Sequence, residues 1–196
     1  MPVDRSPTTR KEYLMARDTL SRSMHDLGLA AWFGGTLANA VALNAAAGAA
    51  SDSRDTGAVA NEGWDRWTPV NAGAIGLHLV GSVGQLIGNK GRLAAQQGVP
   101  TMAGTKTALT AAALGATAYS RSLGRTVSEH RDVPAESGTT PLDQTPPHVA
   151  QAQRRLSALQ WVVPALTGAV VLVSAYAGEQ QRASEQRRGL RKRLVG

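Results

Sequence analysis

The chain has 196 residues, no cysteine and a formal net charge of +7, with 42% hydrophobic and 4% aromatic residues. That length is one domain's worth, and the missing thiols exclude disulfides, cysteine-ligated zinc and iron–sulfur clusters. The positive charge carries no nucleic-acid fold signature and gathers beside apolar runs, so no nucleic-acid partner is expected.

The first 26 residues contain no apolar h-region, so no cleavable signal peptide is expected and the first apolar run has to act as the insertion signal. Within 11–27, Leu14, Leu20, Met24 and Leu27 share one helical side, with Lys11, Arg17, Asp18 and Arg22 elsewhere. This segment reads either as an amphipathic helix on the membrane surface or as a solvated extension of the first span.

Four runs follow that are long enough to cross a bilayer: 27–50, 68–88, 99–120 and 157–178. A hydrocarbon core of about 30 Å needs about 20 mostly apolar residues. Only the third run holds a charged residue, Lys106. The fold class expected is an all-α integral membrane protein: a four-helix bundle over 27–178, an N-terminal segment 1–26, an outer loop 121–156 and a helical basic tail 179–196. The spans are rich in Ala, Gly and Thr, which favour insertion weakly, and the third is the weakest. Mean hydropathy is slightly negative because the polar ends and loop dilute them. The abundance of Ala, Gly and Arg with scarce Lys is the composition of a high-GC bacterial product.

Helical spacing assigns faces to the spans. Gly28, Trp32, Gly35, Asn39, Ala42 and Ala46 share one side of the first. In the second, Asn71, His78 and Gln85 form a polar stripe. Gly73, Gly81, Gly84 and Gly88 adjoin it, while Ile75, Leu79, Val83, Leu86 and Ile87 turn to lipid. The small-xxx-small pair Gly84 and Gly88, aligned with Gly81, predicts close packing against the first span or a second copy. In the third, Lys106, Thr110, Ala113, Thr117 and Ser120 line up. In the fourth, Gln160, Pro164, Thr167, Val171 and Ser174 do. The candidate ligand or pathway residues are therefore Asn39, Asn71, His78, Gln85, Lys106, Thr110, Gln160 and Thr167, since polar side chains in a span turn toward other helices. Lys106 is within snorkelling range of the inner head groups, with Asp26 and Glu179 as ion-pair candidates. Pro164 is expected to bend the fourth span.

The connection 121–156 carries Pro134, Pro141, Pro146 and Pro147 and reads as a flexible loop, with the fourth helix starting at 149–155. The tail is expected to fray near Gly189. With both termini cytoplasmic, thirteen basic residues fall inside and seven outside, in line with the positive-inside rule. Trp64, Trp67, Tyr119 and Trp161 then share the outer interface as an aromatic belt. Arg187, Arg188, Arg191, Lys192 and Arg193 meet anionic lipid head groups.

No nucleophile–base motif, HExxH or phosphate loop is legible; in the run Gly104, Thr105, Lys106, Thr107 a threonine separates Gly from Lys. His25, His78, His130 and His148 share no helix face at ligand spacing, so no metal and no cofactor are expected. The function expected is a multi-pass plasma-membrane accessory, assembly or scaffold subunit acting by helix packing with a membrane-protein partner or its own copy. The alternatives are a small-solute transporter or channel component using the polar seam, and a redox accessory holding a quinone-type ligand near His78.

Overall fold

A computed structural model describes residues 7–88, 99–130 and 133–195, with side chains over 19–88, 100–130 and 133–179. The first helix, α1 (Pro7–Ala38), passes into a π-helical turn (Asn39–Leu43) and a last short turn, α2 (Asn44–Ala47). The second long helix is α3 (Asp55–Gly88), the third α4 (Val99–Ser128) and the fourth α5 (Pro147–Val195). Between α4 and α5 a small antiparallel hairpin pairs β1 (Ala135–Ser137) with β2 (Thr140–Pro141).

Among the described residues, three stretches are long and apolar enough to cross a membrane: Thr19–Ala47, Asp55–Gly88 and Pro147–Glu179. The third expected span is a helix but is not in that set. Ala, Gly and Thr fill α4, Lys106 interrupts it and Arg121 closes its apolar part, so it lacks the Leu and Ile that drive insertion. It is held instead by its neighbours, since α4 packs chiefly along α5 and α1 chiefly along α3.

Other expectations are decided or corrected at the ends. Of the two readings of 11–27, the helical extension of the first apolar run is the one that matches, because α1 runs unbroken from Pro7. The tail does not end at Gly189: α5 carries its backbone to Val195. Residues 89–98, with Lys90 and Arg92, lie outside the described residues, as do the side chains of Arg187, Arg188, Arg191, Lys192 and Arg193.

The proline-rich segment is ordered rather than loose. Thr145 Oγ1 donates to Pro134 O (2.9 Å) and accepts from Leu142 N (3.0 Å), closing the segment on itself. Ala135 N donates to Ser53 O (3.0 Å) and Gly138 N to Asn44 O (3.1 Å), docking it on the α1–α3 connection. These bonds satisfy backbone groups that proline prevents from joining a helix. Under it Val127, Val149 and Ala152 form a buried cluster joining the ends of α4 and α5, and α5 starts two residues earlier than expected, at Pro147.

The α1–α3 contact is the closest in the bundle. A Cβ on Gly28 would collide with Ala74 O and His78 N, one on Gly81 with His25 N and Ser21 O, and one on Gly84 with the Ser21 hydroxyl. Backbones approach at this distance only where side chains are missing. Gly73 and Gly88 are exposed and do not belong to that face: the packing stripe on α3 runs through Ala74, His78 and Gly81. A central cluster of Trp32, Ala74 and Ala113 joins α1, α3 and α4, and Phe33 packs on Gly168 of α5. The opposite face of α3 exposes Val80, Val83, Leu86 and Ile87, each 44–59% accessible.

Candidate functional site

The residues expected to share one polar seam divide into two groups at different heights. The lower group centres on His78, which is fully buried. Its Nδ1 lies 3.4 Å from His25 O and its Nε2 3.4 Å from Thr110 Oγ1. A carbonyl only accepts, so Nδ1 carries the hydrogen and Nε2 accepts from the threonine. Both contacts are longer than an ordinary hydrogen bond of about 2.7–3.2 Å and so are weak. The His25 ring stacks on His78 with centroids 4.5 Å apart, and Trp32 follows at 6.1 Å. His25 is itself 1% exposed and bonded through Nδ1 to Asp26 Oδ1 at 2.7 Å. Lys106 is half-buried on α4, and Asp26 is the carboxylate whose field acts on it. His25 was the signal missed from sequence: it precedes the uncharged run, and only the length of α1 brings it level with Gly81.

The upper group surrounds a cavity of about 360 Å³ beneath the hairpin. Asn44 organises it. Its Nδ2 donates to Gln160 Oε1 on α5 (2.8 Å), its Oδ1 accepts from Trp64 Nε1 on α3 (3.0 Å), and its backbone carbonyl holds the hairpin. Three elements are thereby tied to one residue. Gly138 must be glycine here, because a Cβ would lie 2.9 Å from Asn44 Oδ1 and 3.0 Å from Ala60 Cβ. The walls are apolar, from Ile75, Leu114, Val127, Leu159 and Val163.

Four polar atoms of this lining are buried with no hydrogen-bond partner: Asn61 Nδ2, Trp67 Nε1, Asn71 Oδ1 and Thr117 Oγ1. Buried polar groups are normally paired, and of the ten such unpaired atoms among the described residues four belong to this one lining. The one charged lining residue, Arg121, is 3.3 Å from Asp65 and so is neutralised.

No family model matches the chain, and no curated protein or solved structure matches it either.

Of the residues expected at the site, Asn71 and Gln160 line the cavity, while His78 and Thr110 meet below it. Lys106 stands on the same side of α4 as Thr110, and Gln85 is half-buried one turn beyond Gly81. Asn39 opens the π turn with its Nδ2 buried and unpartnered, outside the cavity lining. Thr167 is fully buried but gives its hydroxyl to its own helix, at Val163 O (2.9 Å) and Pro164 O (3.3 Å). Of the four aromatic residues assigned to a belt, Trp64 and Trp67 turn inward to the cavity, and only Tyr119 and Trp161 are exposed. Tyr119 accepts from Arg155 Nη1 at 2.7 Å.

His130 and His148 meet at the mouth of the hairpin, Nε2 to Nε2 at 3.1 Å. The Nδ1 of His130 bonds Thr126 O at 2.9 Å and so carries hydrogen, which makes its Nε2 the acceptor and His148 the donor. The pair clamps the end of α4 to the start of α5. Among the described residues no three His, Cys, Asp or Glu side chains converge as a metal site would require.

Proposed function

We propose that this chain is a four-span protein of the plasma membrane, both termini cytoplasmic, that works as a non-catalytic accessory or scaffold subunit. The observation that carries this reading is the contrast between its two halves. The α1–α3 pair is closed by glycine, whereas the centre beneath the hairpin is unfilled and lined by amide, hydroxyl and indole groups. Such groups hold a partner or ligand; they supply neither a nucleophile nor a base at neutral pH. The exposed valine and leucine faces support the membrane placement, because in water so large an apolar surface drives aggregation and in lipid it is solvated. In this reading the third span, α4, enters with α5 rather than on its own. The tail residues Arg187, Arg188, Arg191, Lys192 and Arg193 lie against anionic head groups.

The division of the polar residues into two groups favours this role over a transport path. The His25–His78–Trp32 stack is packed shut, and Thr167 is turned back on its own helix. The test is purification of the tagged full chain from membranes in mild detergent. The expected result is resistance to high-pH extraction and a stoichiometric membrane-protein partner or a homo-oligomer. Release into the aqueous phase overturns the membrane placement, and solute uptake by proteoliposomes of the chain alone overturns the accessory role.

A further inference from the structure

The cavity beneath the hairpin has no occupant assigned by the packing around it, and its chemistry is specific enough to name one. We propose that it binds one uncharged amphiphile, with oxygen acceptors at one end of an apolar body, taken up from the bilayer. This rests on the membrane placement above.

Size comes first. At about 360 Å³ the space lies within the range of small-molecule sites. Filled with water it would hold about a dozen molecules at about 30 Å³ each, against apolar walls offering few partners. The polar atoms then fix the head group. Asn61 is 7% exposed, and its Nδ2 and the Trp67 indole N–H are buried donors without acceptors. Both ask for carbonyl, ester or hydroxyl oxygen. Asn71 Oδ1 accepts a hydrogen, and the Thr117 hydroxyl does either. The two unpaired donors are a standing cost that a ligand carbonyl or ester oxygen removes, and Asn71 Oδ1 is satisfied by a ligand hydroxyl.

Charge excludes other classes. Arg121 is the single charged residue in the lining and is paired with Asp65, so nothing there is free to select a phosphate or carboxylate. The side between α3 and α4 is the natural entry from the bilayer, because these helices meet far less than α1 meets α3. The lining also moves the expected quinone-type site, since His78 is not part of it.

The experiment uses the full chain in nanodiscs with Trp161→Phe, which removes the most exposed tryptophan and leaves Trp64 and Trp67 as reporters in the lining. Two neutral probes are titrated: a dibrominated diacylglycerol, and a benzoquinone with a short isoprenoid tail. Saturable fluorescence quenching at about one equivalent by either probe is expected; the first arm identifies a lipid source, the second a lipid-soluble carbonyl compound. Asn61→Leu combined with Asn71→Leu should weaken diacylglycerol binding about tenfold or more, since two hydrogen bonds are removed at similar volume, and quinone binding severalfold, since only the Asn61 donor meets a carbonyl there. Gly73→Ala, outside the lining, should leave it unchanged. Should the double variant fail to fold, Thr117→Val tests the facing wall and should weaken binding severalfold. Quenching that never saturates, or equal binding by the variants, overturns the proposal. So does a protein helix captured by a photoreactive group at Ala72. Loss of the chain from the membrane fraction is a different result, because it overturns the membrane placement itself.

Discussion

Two glycines of α3 that look alike in sequence have opposite structural weight. A Cβ on Gly81 strikes His25 N and Ser21 O, both main-chain atoms of a helix that cannot yield locally. Gly81→Ala should therefore force α1 and α3 apart and cost about 1–3 kcal/mol, the usual cost of overpacking. Gly73 has nothing within 4 Å, and Gly73→Ala should be neutral or stabilising by about 0.5–1 kcal/mol, the helix preference of Ala over Gly. Denaturant unfolding in detergent micelles checks both; equal effects would remove the glycine contact from the account of the fold. Periodicity located Gly81, Gly84, Asn71 and His78 on the inner half of α3. It placed Gly73 there as well, because a stripe drawn every three to four residues has a width of about one position and a single helix does not say which edge its neighbour covers. Asn44 and Asn61 were not legible as a site at all. One stands just before an alanine run and the other in a segment whose charges mark it as outer.

The π turn explains why the outer end of the first span was misread. Asn44 N–H bonds Asn39 O, five residues back rather than four, so the helix takes in one extra residue. The α-helical stripe through Gly28, Trp32 and Gly35 should continue to Ala42 and Ala46, but both are exposed, and Ala40, Asn44 and Ala47 are buried in their place. The bulge thus turns Asn44 toward Trp64, Gln160 and the hairpin. Deleting Ala42 removes the surplus residue and lets an ordinary α-helix deliver Asn44 to the same position, so that variant should fold with its midpoint within a few degrees of the parent. Deleting Val80 from α3 has no bulge to absorb it and rotates Gly81 and Gly84 by about 100° relative to Ala74; that variant should lose the bundle. Circular dichroism and the intrinsic tryptophan emission of the two purified chains distinguish these outcomes. Damage from Ala42 deletion equal to that from Val80 deletion would mean the π turn is not an insertion. The helices themselves were legible because long uncharged runs dominate their sequence. The hairpin was not, because its order comes from bonds to Ser53 and Asn44, far away in the chain.

At the scale of the molecule, the proposed membrane placement requires α4 to cross alongside the three more apolar stretches. Its own composition argues against it, and its position argues for it. Thr110 and Ala113 stand level with His78 and Ala74 in the middle of α3, so a bilayer that contains one contains the other. The hairpin after α4 is bonded to Ser53 and Asn44, which puts both connections at one end of the bundle. If only three helices crossed, those connections would lie on opposite sides and their hydrogen bonds could not form. The absence of cysteine makes single reporters clean. Ser51→Cys and Asp143→Cys should be labelled by an impermeant maleimide from the same, outer side of intact cells, and Ser184→Cys in the tail only after the membrane is opened. The thirteen-to-seven division of basic residues predicts the sense of that arrangement, while the hairpin predicts its parity. Labelling Asp143→Cys and Ser51→Cys from opposite sides would remove α4 as a span. It would also undock the hairpin and open the roof of the cavity, so the parity of the chain and the existence of its central site stand on one measurement.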